Sequence, residues 1–233
     1  MPLSHTAKRF DEELSELKNR VLSLGGLVEK AIGNATRALL QRDPELARKT
    51  IERDKAVNAL EVQCDDLTRR ILVLRQPAAG DLRFIISAIK VVTDLERMGD
   101  LAVGICEGAL QLEEVPVQTR VSLSGMSELV MAQVSRALDA MARGDIDLAM
   151  EVIEKDSAID EMYYSTYREI LTYMMENPPQ ISGYIILSNI AKNLERIGDH
   201  ATNICEMVIY TMRGHDIRHV DHEAAAALLR GEE

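Results

Sequence analysis

Apolar residues along much of this chain recur at alternating steps of four and three. Val91, Leu95, Met98, Ala102, Ile105, Ala109 and Leu112 form one such series. Ile190, Leu194, Ile197, Ala201, Ile204, Val208 and Thr211 form a second, and Val57, Leu60, Cys64, Leu67, Ile71 and Leu74 a third. That spacing lays a stripe along one helix face and predicts helices packed on a seam, as in bundles and coiled coils. Turn residues cut the chain into six long helical stretches. The first covers about residues 4–41; Asp43 then reads as an N-cap with Pro44 at the first helical position. The second runs to Gln76 and stops at Pro77, and the third runs from Asp81 to about Glu113. "VPVQTR" at 115–120 marks a mid-chain boundary. The fourth ends at Arg143 before Gly144, the fifth opens at Asp145 and closes at "NPP", and the sixth ends at Arg213 before Gly214. Helices of thirty-odd residues are rods of roughly 50 Å.

The pattern is doubled. "LERMGD" at 95–100 returns as "LERIGD" at 194–199. "DPELARKTIERDKAVNALE" at 43–61 returns as "DIDLAMEVIEKDSAIDEMY" at 145–163. Helices two and three therefore repeat as five and six, and helix one pairs with helix four. The architecture this predicts is all-α: two pseudo-symmetric three-helix bundles of antiparallel helices, residues 1–115 and 116–214, with a tail at 215–233.

Composition agrees with helix on helix. The chain has 233 residues, 46% hydrophobic but only 3% aromatic and without tryptophan, which disfavours a β-sandwich or barrel. A net charge of −11 argues against nucleic acid as a partner and for cations or basic protein surfaces. No run of about eighteen apolar residues occurs, and the first twenty residues are rich in charge. The expectation is a cytoplasmic protein whose three cysteines stay reduced.

With Leu95 and Met98 in the seam, Glu96 and Asp100 stack on the flank of the third helix, and Glu107 lies about 20° off the same line. Glu195, Asp199 and Glu206 repeat this in the sixth. The preceding helices add Asp54, Asn58, Glu61 and Asp65 in the first repeat, and Asp156 and Asp160 in the second. Like charges four apart on a helix repel. Converging carboxylates suit hard cations such as Mg²⁺, Mn²⁺, Ca²⁺ or iron; a solvated acidic face is the other reading of the same spacing. Arg97 and Arg196 lie between the acids in sequence, placed to pair with carboxylates of a neighbouring helix or to receive an anion. Gly99 and Gly198 read as points of close helix packing, and Cys106 and Cys205 as small packing residues. His215, His219 and His222 fall in the tail, and His200 points away from the acidic flank. Walker loops, Gly-rich dinucleotide loops, Cys-x-x-Cys and Glu-x-x-His pairs are all missing from the sequence.

"LRQPAAGDLRFIISAIKVVTDLERMGDLAVGICE" at 74–107, "NIAKNLERIGDHATNICE" at 189–206 and "VIEKDSAIDEM" at 152–162 resemble the PhoU family of bacterial phosphate-specific transport. The resemblance spans about residues 5–213. It implies two three-helix bundles and metal clusters held by Glu/Asp-x-x-x-Asp motifs. Those motifs fall on Glu96 with Asp100, Glu195 with Asp199, Asp156 with Asp160, and Asp54 with Asn58. Asn58 departs from the pattern, so the second-repeat site is expected to be the fuller one. Iron, zinc, magnesium and manganese are the candidate ions. The resemblance also implies a non-enzymatic negative regulator of the phosphate-starvation response that restrains phosphate uptake. Its partners would be the ATPase subunit of the phosphate ABC transporter and the phosphate-sensor histidine kinase. It would be a homodimer or higher oligomer that meets the membrane only through those partners. The alternatives are a carboxylate-metal phosphohydrolase, with Arg97 or Arg196 holding the phosphoryl group, and a metal-storage bundle.

Overall fold

The computed structural model describes residues 2–115, 117 and 121–218. All regular elements in these residues are helical: α1 Pro2–Gln41, α2 Pro44–Arg75, α3 Ala79–Glu114, α4 Ser124–Arg143, α5 Ile146–Glu154, α6 Ser157–Glu176, a 3₁₀ turn Pro178–Gln180, and α7 Ile181–Arg213. None of these helices is long and apolar enough to cross a membrane.

The repeat is visible at atomic detail where α1 meets α2 and α4 meets α5. Asp43 N donates to Ala38 O at 2.9 Å, and Asp145 N donates to Ala140 O at 3.0 Å. The carboxylates of Asp43 and Asp145 then accept from Leu46 N at 2.9 Å and Leu148 N at 3.0 Å. Both turns need one left-handed residue. The second repeat uses Gly144 at φ 65°, but the first uses Arg42 at φ 52°, where a side chain strains the backbone.

One expectation fails in the second repeat. The fifth helix is broken at Lys155–Asp156 into α5 and α6, whereas the corresponding α2 runs through. Lys155 N donates to both Glu151 O at 3.3 Å and Val152 O at 3.2 Å, and Asp156 N donates to Ile153 O at 3.3 Å, a tightening to three-residue bonds. It falls where the Asp156 side chain reaches across to Gln133 on α4. Asp156 keeps helical dihedrals, so apolar periodicity passes through the break undisturbed. Elements α4, α5 and α6 are also shorter than the predicted rods, at 20, 9 and 20 residues.

The seam residues are buried as expected. Leu95, Met98, Ala102, Ile105, Leu194, Ile197, Ala201 and Ile204 are fully enclosed. Leu60, Ala109, Leu112 and Thr211 are half-buried, and Leu74, in the last turn of α2, is 61% exposed.

Helices α1–α3 pack together, as do α4–α7, and the halves join through α3 against α7 and α1 against α4. Small residues allow both joins. A Cβ at Gly104 or Gly108 of α3 would lie 2.7 Å from Asn193 Nδ2 or Ile190 Cγ1 of α7, and one at Gly25 of α1 would lie 2.9 Å from Leu138 Cδ2 of α4. Asp94 of α3 is held across the α3–α7 crossing by His200 Nδ1 at 2.8 Å and Asn203 Nδ2 at 3.2 Å. His200 is therefore a helix-crossing residue, away from the acidic flank as the sequence indicated. The crossing has its own pseudo-symmetry: Asp94 and Gly104 hold the positions that Asn193 and Asn203 hold in the other repeat. Of the tail, Ile217 is buried and Asp216 pairs with Arg218; His219 and His222 lie outside the described residues.

Candidate metal centre

The doubled motif sits where each repeat's last helix passes its middle helix at glycine. A Cβ at Gly99 would lie 3.2 Å from Val57 Cγ1, and one at Gly198 would lie 3.1 Å from Ile159 Cδ1. Val57 and Ile159 correspond across the repeat. This close approach brings the flanking acids of two helices together.

In the second repeat, carboxylate oxygens of Asp160, Glu195 and Asp199 lie within 4.8 Å of one another. Glu195 is 8% exposed. Its Oε1 accepts from Lys192 Nζ at 2.6 Å, while its Oε2 is buried with no hydrogen-bond partner. Such an oxygen is costly to leave unpaired. Burial, then Glu195, Asp156 and Asp160, push the Asp199 carboxyl up to about 6. Burial, then Asp156 and Glu195, raise that of Asp160. Asp156 stands at the edge, its Oδ1 accepting from Gln133 Nε2 at 2.9 Å. Gln133 is itself buried and also reaches Thr202 Oγ1 at 3.0 Å. A group of three carboxylates with one orphan oxygen and a single ammonium, Lys192, against them fits a hard cation.

In the first repeat, Asp54, Glu61 and Glu96 each feel the charge of Asp100, but among the described residues these acids do not gather as tightly as Asp160, Glu195 and Asp199 do. Burial raises the Asp54, Glu61 and Glu96 carboxyls, and Asp100 adds to each. Asn58 donates to Asp54 Oδ2 at 3.0 Å, while Asp54 Oδ1 is buried without a partner. The cause is a substitution between repeats: Ala31 and Val103 stand where Gln133 and Thr202 stand in the second. Arg97 forms no ion pair with a neighbouring helix among the described residues; its Nε lies 3.7 Å from Glu96 Oε2, one residue away, while its charge offsets part of the rise in the Glu61 carboxyl on α2. Arg196 is exposed and forms no ion pair among the described residues. Glu206 lies apart from the cluster, lining a cavity with Asp94 and Arg218.

Two stretches of this chain, residues 21–109 and 123–208, match the sequence model of the PhoU domain. The chain belongs to the PhoU family. It is 44% identical to the phosphate-specific transport system accessory protein PhoU homolog of Pseudomonas putida, covering 97% of this chain and 90% of the relative. It is 36% identical to the PhoU of Escherichia coli K12, covering 98% and 95%. The crystal structure of PhoU from Pseudomonas aeruginosa superposes with a TM-score of 0.86 at 44% identity, covering 88% of this chain and all of that one. The PhoU regulatory protein from Streptococcus pneumoniae superposes at 0.81, with 34% identity, covering 89% of this chain and 98% of that one.

Within this PhoU fold, Lys192, Gln133 and Thr202 are site residues that the motif reading passed over. Lys192 lies one turn before Glu195, and its Nζ also stands 5.1 Å from the centre of the Tyr163 ring. Gln133 is on α4, which carries no acidic motif. The available signal was the repeat itself, since each of these residues differs in type from its counterpart.

Proposed function

We propose that this chain is a cytoplasmic accessory protein of phosphate-specific transport. It would link the transporter's ATPase subunit to the phosphate-sensor histidine kinase, lower the starvation response and restrain phosphate uptake. The names of its relatives, which it matches over almost their whole length, support the transport role. The link requires different affinity for two states of a partner, and long helical faces offer the area for such contacts. Capture of the ATPase subunit and the kinase by the purified chain is the test. Failure to bind either, in every nucleotide and phosphate state, overturns the reading.

The acidic clusters bind metal in this proposal. The observation that carries it is the convergence of Asp160, Glu195 and Asp199 around the unpartnered Glu195 Oε2. All three donors are carboxylates, which favours magnesium, manganese or iron over zinc. Elemental analysis of untagged protein should find metal in the wild type and less in Glu195→Gln/Asp199→Asn. Equal content in both removes the second-repeat site from the proposal.

A further inference from the structure

The two acidic clusters differ most in what neutralises them. Lys192 and Tyr163 of the second repeat correspond to Thr93 and Glu61 of the first. The first cluster therefore carries an extra carboxylate where the second has an aromatic ring, and a hydroxyl where the second has an ammonium. Lys192 makes two contacts with that cluster's surroundings: Nζ donates to Glu195 Oε1 at 2.6 Å, and it stands 5.1 Å from the Tyr163 ring centre. Its side chain is 47% exposed, while that of Glu195 is 10% exposed. The carboxylate is fixed and the ammonium is on a tether with room to move.

We propose that Lys192 is a built-in counter-ion of the second cluster: it occupies Glu195 in place of a metal ion, and gives up that oxygen, resting on the Tyr163 ring, when a divalent cation binds. This rests on the metal-binding reading above. A cation entering among Asp160, Glu195 and Asp199 meets a Glu195 carboxylate whose Oε1 Lys192 already holds, so only Oε2 is open to it while the ammonium stays and opposes it by its charge. The ammonium already lies within cation–π range of the ring, so it leaves the carboxylate without returning fully to water. The second site consequently binds metal against an ammonium bonded to its buried ligand Glu195, whereas the cation of the first, Arg97, is exposed and stands 3.7 Å from Glu96 Oε2. Lys192 also keeps the metal-free second repeat folded against the repulsion of its acids.

The test uses the full-length chain with the first cluster disabled by Glu96→Gln/Asp100→Asn, and Mn²⁺ as the probe. Mn²⁺ binding, by titration calorimetry or the free-ion EPR signal, is compared with Lys192 present, in Lys192→Met, and in Arg196→Met as a neighbouring charge that touches no acid. Lys192→Met should tighten Mn²⁺ binding about tenfold, the scale of one half-exposed charge-assisted hydrogen bond. Arg196→Met should change it far less. In EDTA, Lys192→Met should melt lower than its parent and gain more on adding Mn²⁺. As the converse, Thr93→Lys in an otherwise wild-type first cluster should weaken Mn²⁺ there. Unchanged or weaker binding in Lys192→Met, or equal tightening in Arg196→Met, overturns the proposal while leaving metal binding intact. No Mn²⁺ bound with or without Lys192 overturns the metal reading of this site and this inference with it.

Discussion

Asp199→Asn should stabilise the metal-free protein while destroying a ligand. Asp199 titrates at about 6 in the fold, against 3.8 ordinarily, because of burial first and then the neighbouring acids Glu195, Asp156 and Asp160. That separation corresponds to about 3 kcal/mol at most. The residue is exposed at its surface, so solvent screening brings the figure to about 1 kcal/mol. A carboxyl whose value is raised on folding holds its proton more tightly in the folded chain. Its ionisation therefore weakens the fold: the penalty is absent below 3.8, grows as pH rises, and is complete above about 6. Asparagine has the shape of the protonated acid and removes the penalty. In EDTA near neutral pH the variant should melt about 2–4 °C higher than the wild type. The gain should shrink as the pH is lowered from about 6 and vanish near 3.8. Thermal unfolding followed by far-ultraviolet circular dichroism across that range reads both. With saturating Mn²⁺ the order should reverse, because only the wild type gains the full stabilisation of binding. A variant that melts at or below the wild type in EDTA, or a gain that ignores pH, would falsify the electrostatic account of this cluster.

Arg42→Gly should raise stability by about 0.5–1 kcal/mol, since the left-handed turn after α1 at φ 52° holds glycine in its repeat counterpart Gly144; a lower denaturant midpoint refutes this. Arg75→Met should lower the melting temperature, because buried Glu13 accepts from Arg75 Nε at 2.8 Å and Nη2 at 3.1 Å. The Arg75 hydrogen bonds hold the Glu13 carboxyl below its ordinary 4.5. Stability from this pair is present above 4.5 and fades as pH falls through the lowered value, so the two proteins should converge only in acid. Burial pushes the thiols of Cys64 up to about 11 and of Cys106 and Cys205 up to about 12. A thiol-disulfide reagent should label all three only as the fold opens, and rapid labelling of the native chain would contradict their packing role.

Helices, seams and turns were legible in the sequence because each is written locally. Leu95, Met98, Leu194 and Ile197 follow the period of one helix, and Asp43 with Pro44 announces one start. The break between α5 and α6 was not legible. It preserves helical dihedrals at Asp156 and coincides with the reach of that side chain to Gln133, a residue of another helix. The acidic motifs were found because four-residue spacing puts two acids on one face. Spacing does not say which neighbouring face meets them, so Gln133, Thr202 and Lys192 do not show in it, and Arg97 sits beside Glu96 of its own helix while acting on Glu61 of α2 only through its charge.

The repeat supplies what a single helix cannot. The two copies share one backbone arrangement, so positions at which they agree report what that arrangement needs. Gly99 and Gly198, or Asp43 and Asp145, are of this kind. Positions at which they differ, inside the same geometry, report what each cluster does with its charge. Asn58 against Asp160 by itself makes the first cluster the poorer one. Glu61 against Tyr163 and Thr93 against Lys192 weigh the other way: the first cluster regains its fourth acid, and its cation is the exposed Arg97 rather than a bonded ammonium. Ala31 against Gln133 adds that Asp54 has an oxygen free where Asp156 has one engaged. Counting carboxylates in the motif favours the second site. Counting the groups that already satisfy those carboxylates sets Lys192 and Gln133 in the second against Asn58 and Arg97 in the first. Lys192→Met separates the two counts, because it changes the neutralising group and leaves every candidate ligand in place.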